Sequence, residues 1–183
     1  MEDTSRTLRD GKPPKTAFKI LIFSQFRRQV ARTDLRRAVE AAVTQVGKDE
    51  FAEREIELVV ADDETVQELN RTYRGLDETT DVLAFSPKYH GRYQGQGPEP
   101  INPKINFPHP NKSEEPLGEV ILSYPQARRQ AIQATRPIKY ELITLTVHGV
   151  LHLLGYDHDD PKEEEIMFRL QEQAVAVALG KKQ

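Results

Sequence analysis

Apolar positions along the chain switch between two periods, and the switches mark the elements. Ala17–Phe23 (AFKILIF) and Ile56–Ala61 (IELVVA) are short, apolar and rich in branched residues, as strands are. Between them Leu35, Ala38, Val39, Ala42 and Val46 recur at helical spacing, which predicts a helix capped by Thr33 or Asp34 and ended by Gly47. Asp62-Asp63 predicts the cap of a second helix, from Glu64 to about Tyr73, with Val66 and Leu69 inward. Asp81–Phe85 and Leu117–Ser123 read as two more strands, the first short enough for a sheet edge. Three helices follow: Pro125–Ala134, the long Ile138–Leu154, and Pro161–Leu179 with Gly180 as its terminating residue. At 183 residues the chain is long enough for one domain with a real core, expected over 17–180.

Two stretches stand outside this pattern. Residues 1–16 are charged, contain Pro13-Pro14 and have no periodicity, so a disordered tail is expected. Residues 87–116 hold seven of the 12 prolines together with His90 and His109, and read as a long proline-rich loop inserted between two strands.

Composition narrows the chemistry. There is no cysteine, which excludes disulfides, thiolate metal sites and cysteine catalysis and fits a reducing compartment; the cytoplasm is the default. No apolar run approaches the roughly 20 residues that span a bilayer. The net charge of −3 is uneven. Arg27, Arg28, Arg32, Arg36 and Arg37 form the densest basic group, read as a solvated helix face or a surface that tracks phosphates.

The candidate chemistry lies in His148-Gly-Val-Leu-His152-Leu-Leu-Gly155-Tyr-Asp-His158. Residues four apart share a helix face, so His148 and His152 can converge on one ion. Gly155 can end the helix in the left-handed conformation and let His158 close a third corner. Three imidazoles with an open fourth position describe a catalytic zinc site, although imidazole sites also take nickel or copper. The spacing is that of the metzincin signature, but the general base of those peptidases is replaced by Gly149. A metalloprotease is therefore disfavoured. Asp157 and Glu119 are candidates to orient a ligand imidazole through its second nitrogen, and Tyr156 is a candidate to stack a base.

With these residues in view, four separated blocks resemble the YbeY family of single-strand-specific endoribonucleases. They are HGVLHLLGYDH, Asn70–Asp77 (NRTYRGLD), Thr80–Phe85 (TDVLAF) and Leu117–Ser123 (LGEVILS). Ala84 and Ser86 depart from the family's usual Ser and Pro. The resemblance implies a zincin-like α+β single domain in which a small mixed sheet packs against helices, one of them metal-binding. It implies His148, His152 and His158 as ligands of one Zn2+ per chain, with Arg74 and His148 catalytic. It also implies single-stranded RNA as substrate, a role in 16S-type 3′ end maturation and ribosome quality control, and the small ribosomal subunit and its assembly proteins as partners. The alternative is a non-catalytic ribosome-assembly factor with a structural metal.

Overall fold

The computed structural model describes residues 17–47, 54–87 and 116–180. The expected N-terminal tail, and the proline-rich segment with His90 and His109, fall outside these residues apart from Pro87 and Pro116. The elements are β1 (Phe18–Ile22), a 3-10 turn (Ser24–Phe26), α1 (Arg32–Val46), β2 (Ile56–Ala61), α2 (Asp63–Arg74), β3 (Val82–Phe85), β4 (Gly118–Ser123), α3 (Tyr124–Gln133), α4 (Ile138–Leu153) and α5 (Pro161–Ala178). The short 3-10 turn has no counterpart in the sequence reading. The other elements lie within three residues of their expected ends.

The sheet is mixed, with strand order β1-β2-β4-β3. β1, β2 and β4 run parallel, with Ile20 opposite Leu58 and Leu58 opposite Val120. β3 is the antiparallel edge, with Leu83 opposite Ile121. Side chains alternate across a strand, so these registers sort the residues onto two faces. Ile20, Leu58, Val120 and Leu122 meet α1, α4 and α5 in the main core. Val59, Leu83, Ile121 and Phe85 meet Val66 and Leu69 of α2 on the other face. The fold is α+β, as expected.

α4 lies at the centre of the main core, with ten of its sixteen residues buried. It packs so close to the sheet that a Cβ on Gly149 would lie 2.5 Å from Val120 Cγ1 and 3.1 Å from Val82 Cγ2. Gly118 serves the same approach one turn further on. Its φ is +143°, and a Cβ there would meet the Phe85 carbonyl oxygen at 2.2 Å and Leu153 Cδ2 at 2.8 Å.

Side-chain caps open α2, α3 and α5, while α1 and α4 begin at Ala31 and Pro137 without one. Asp62 accepts from Thr65 N at 3.0 Å, as expected of an N-cap. α1, by contrast, is capped by Ala31 and not by Thr33 or Asp34. Asp34 instead enters the first turn, where its carboxylate pairs with Lys139 of α4 at 2.8 Å.

Candidate metal centre

α4 delivers two of the three histidines, and the turn that ends it delivers the third. Gly155, at φ 86°, donates to the His152 carbonyl at 3.0 Å, and Tyr156 N donates to the Leu151 carbonyl at 3.0 Å. These paired bonds make a Schellman motif, which satisfies the last carbonyls and reverses the chain. Asp157 then accepts from His158 N at 2.7 Å and braces the return. The imidazole centroids lie 4.6 Å (His148–His152), 5.2 Å (His152–His158) and 5.6 Å (His148–His158) apart. One nitrogen from each ring falls within 4.8 Å of the others.

Hydrogen bonding prepares these rings for a cation. Nδ1 of His148 lies 2.9 Å from Oε1 of Gln171 on α5, an acceptor that keeps the imidazole proton on Nδ1. The Nε2 lone pair of His148 then faces Nε2 of His152 at 3.1 Å. Two nitrogens bound tetrahedrally to zinc at about 2.0–2.1 Å would lie about 3.3 Å apart. Donor set and spacing fit one tetrahedral ion.

Burial is the first cause that lowers the pKa of His148, opposed by the Gln171 bond and by Asp81 and Asp157. It also pushes His152 down to about 4, with the charges of His148 and His158 adding to the effect. Both rings are thus neutral near pH 7, the form that binds a metal. His158 is exposed, so the centre opens to solvent on that side.

The remaining candidates are placed differently. Asp157 braces the turn and lends charge to the cluster, but the side chain bonded to a ring of the cluster is Gln171. Glu119 does not orient a ligand. It alternates with Gly118 and Val120, which face α4, so its side chain leaves the opposite face of the sheet. There burial and the neighbouring Glu57 raise its pKa, opposed by Lys19. Tyr156 is half-buried against the main core, and its backbone hydrogen bonds His152. That is the environment of a packing residue rather than a base platform.

Arg74 closes α2. Among the described residues no hydrogen bond or ion pair engages its guanidinium. The helix end is capped by Gly75 N, which donates to the Arg71 carbonyl at 3.2 Å, and Asp77 takes Gln67 Nε2 at 3.0 Å. Next to it the Tyr73 ring contacts Phe85 at 5.0 Å, fixing the end of α2 to the end of the edge strand. The Phe85 carbonyl is also where Gly118 and Leu153 meet, one residue beyond His152. Arg27, Arg28, Arg32, Arg36 and Arg37 are all exposed; Arg36 stacks 5.6 Å over Phe18.

Sequence reasoning missed Gln171 and a cavity of about 590 Å³ that begins at His148 and Gln171 and runs between α3 and α4. A signal for Gln171 existed. It falls four residues after Met167 and four before Val175, a polar residue in the buried stripe of α5.

Comparison with known proteins identifies the family. The family profile described as Endoribonuclease YbeY matches residues 21–178. A protein named Endoribonuclease YbeY from Dehalococcoides mccartyi strain BAV1 is 38% identical over 156 residues, covering 85% of this chain and 86% of its own. One of the same name from Brevibacillus brevis is 40% identical over 141 residues, covering 76% and 81%. The solution structure of a Thermotoga maritima protein superposes with a TM-score of 0.56 at 22% identity, covering 90% of each chain, and supports the fold. On the extent of the family match and the identity of these relatives, the chain belongs to the YbeY endoribonuclease family.

Proposed function

We propose that the protein is a zinc-dependent endoribonuclease that cleaves single-stranded RNA. Its place would be the cytoplasm, where it would mature the 3′ end of 16S-type ribosomal RNA and take part in ribosome quality control, on the small subunit and with its assembly proteins. The relatives' name supplies the reaction class. Among the described residues no helix is long and apolar enough to cross a membrane.

The observation that carries the reading is the open three-histidine cluster. His148, His152 and His158 would hold the ion, and Gln171 would keep His148 in the tautomer that offers Nε2. Once bound, a divalent cation supplies Lewis acidity to a phosphate oxygen and lowers the pKa of its bound water toward about 7. Arg74, whose guanidinium is unengaged among the described residues, would grip the phosphate and share the charge developing on it. Gly149 carries no proton-accepting group, and the RNA 2′-hydroxyl offers an internal nucleophile. A 2′,3′-cyclic phosphate product would identify that route.

The test is cleavage of a single-stranded RNA by wild type and His148→Ala purified in parallel, each with and without chelator. Cleavage that requires both the metal and His148 supports the enzyme. Activity equal in all arms overturns it, and RNA binding without cleavage favours the assembly-factor reading.

A further inference from the structure

The histidines lie toward the β3 edge of the sheet, where His148 shares a cavity wall with Asp81 and Val82. The opposite edge is β1, and it carries a different chemistry. Ile56 N donates to the Ala17 carbonyl and Phe23 N to the Val60 carbonyl, each at 3.0 Å. Backbone groups alternate in direction along a strand, so Phe18, Ile20 and Ile22 turn theirs away from β2. Arg27 occupies this free edge, its Nε donating to the Ile22 carbonyl at 3.3 Å. At the other end of the strand the Arg36 guanidinium lies 5.6 Å from the Phe18 ring centroid.

Arg32 falls between them. β2 runs parallel to β1, so α1 must return from the Ile22 end toward the Phe18 end, and Arg32 comes one turn before Arg36. Cβ atoms four apart on a helix are separated by about 5–6 Å, and Phe18 to Ile22 is about 13 Å of strand. The three arginines thus form a row along the free edge, with a step comparable to that between successive phosphates of a stretched single strand. All three are exposed, and no carboxylate among the described residues pairs with them. Residues 17–47 carry six Lys and Arg against two acids, Asp34 and Glu40, and Lys139 already takes Asp34.

Charge on an edge strand discourages pairing with another chain, but either sign would do that. A row of one sign at this step favours a linear polyanion, and the arginine fork holds phosphate bidentately. We propose that the β1 edge, through Arg27, Arg32 and Arg36, grips the phosphate backbone of a single-stranded stretch of the RNA remote from the stretch cut at the histidines. This rests on the RNA reading above. The two edges are three strand spacings apart, about 14 Å, so two stretches of one RNA can occupy both. An anchor of this kind raises the concentration of the scissile stretch at the metal centre.

The test measures binding of the full chain to a fluorescent oligouridine of about 12 nucleotides over a series of salt concentrations, with chelator present to stop metal-dependent cleavage. Each phosphate contact with a single strand adds about 0.7 to the slope of log affinity against log salt. Arg32→Gln/Arg36→Gln should therefore lower the slope by about 1.4. Arg128→Gln/Arg169→Gln, an equal loss of charge from exposed positions on α3 and α5, should leave it at the wild-type value. Equal slopes in wild type and the row variant overturn the proposal, and so does an equal fall in the control variant. Wild type that binds phosphatidylglycerol vesicles but no oligouridine also overturns it, in favour of a lipid surface. If circular dichroism shows the double variant unfolded, Arg32→Gln alone decides, with an expected fall of about 0.7. Row-dependent binding in a protein that cleaves no RNA sustains the anchor and removes the nuclease; cleavage with no row dependence does the reverse.

Discussion

Gln171 Oε1 lies 2.9 Å from Nδ1 of His148, so the last helix of the chain sets the tautomer of an imidazole on the central one. Removing such a partner typically costs 10–100-fold in metal affinity. Gln171→Ala is therefore expected to weaken zinc binding by about that factor, read by competition with a chromogenic chelator. Gln171→Glu, which keeps an acceptor and adds charge, should hold affinity at or above wild type. Equal affinity in all three proteins would remove Gln171 from the site.

Gly149 is where peptidases of similar spacing hold their base, but the structure gives the glycine another reason. It is the contact point between α4 and the sheet, with no room for a Cβ beside Val120. Gly149→Ala should destabilise by about 1–2 kcal/mol, the overpacking cost exceeding the gain in helix propensity. Val120→Ala should offset part of that loss, giving a favourable coupling in a double-mutant cycle measured by urea unfolding. A carboxylate at 149 would be driven into the core, so loss of activity in Gly149→Glu should accompany loss of fold.

Arg74→Glu reverses charge at the end of α2 and, among the described residues, breaks no hydrogen bond or ion pair. It should abolish RNA cleavage while zinc content and thermal midpoint stay at wild-type values. Retained cleavage would exclude Arg74 as the phosphate-binding group.

Asp63 joins three elements. It pairs with Arg129 at 2.7 Å and accepts from the Ser123 hydroxyl at 2.6 Å, which itself caps α3 by accepting from Gln126 N at 3.1 Å. Its pKa is lowered below 3.8, first by the Arg129 hydrogen bond, with Ser123 and Thr79 adding and burial opposing. A lowered carboxylate pKa stabilises the fold above the unfolded value, and that contribution is lost as pH falls through the folded value. Asp63→Asn should cost about 1 kcal/mol at pH 7. In urea melts the gap to wild type should narrow as pH falls below 3.8. A gap independent of pH would rule out the carboxylate charge as its source.

Features set by near neighbours in the chain were readable from sequence. The His148/His152 pair needs only helical pitch, and Gly155 and His158 follow from one turn type, so the cluster could be read from eleven residues. Features set by packing were not. Gln171 lies 23 positions from its partner. The face occupied by Glu119 depends on strand register, which one residue of slip would reverse. The cap of α1 was misread: the helix begins at Arg32, and Asp34, inside its first turn, pairs with Lys139 on a helix far along the chain. The role of Gly149 was hidden for the same reason: the absence of a base could be seen, but not the valine that requires the glycine.

The Schellman turn after α4 also divides the three histidines. Two stand on a helix packed into the core, while the third lies beyond Gly155 on the solvent side. For the ion proposed above, two ligands would belong to the core and one to the surface, so a change at the turn would reach the site without passing through the fold.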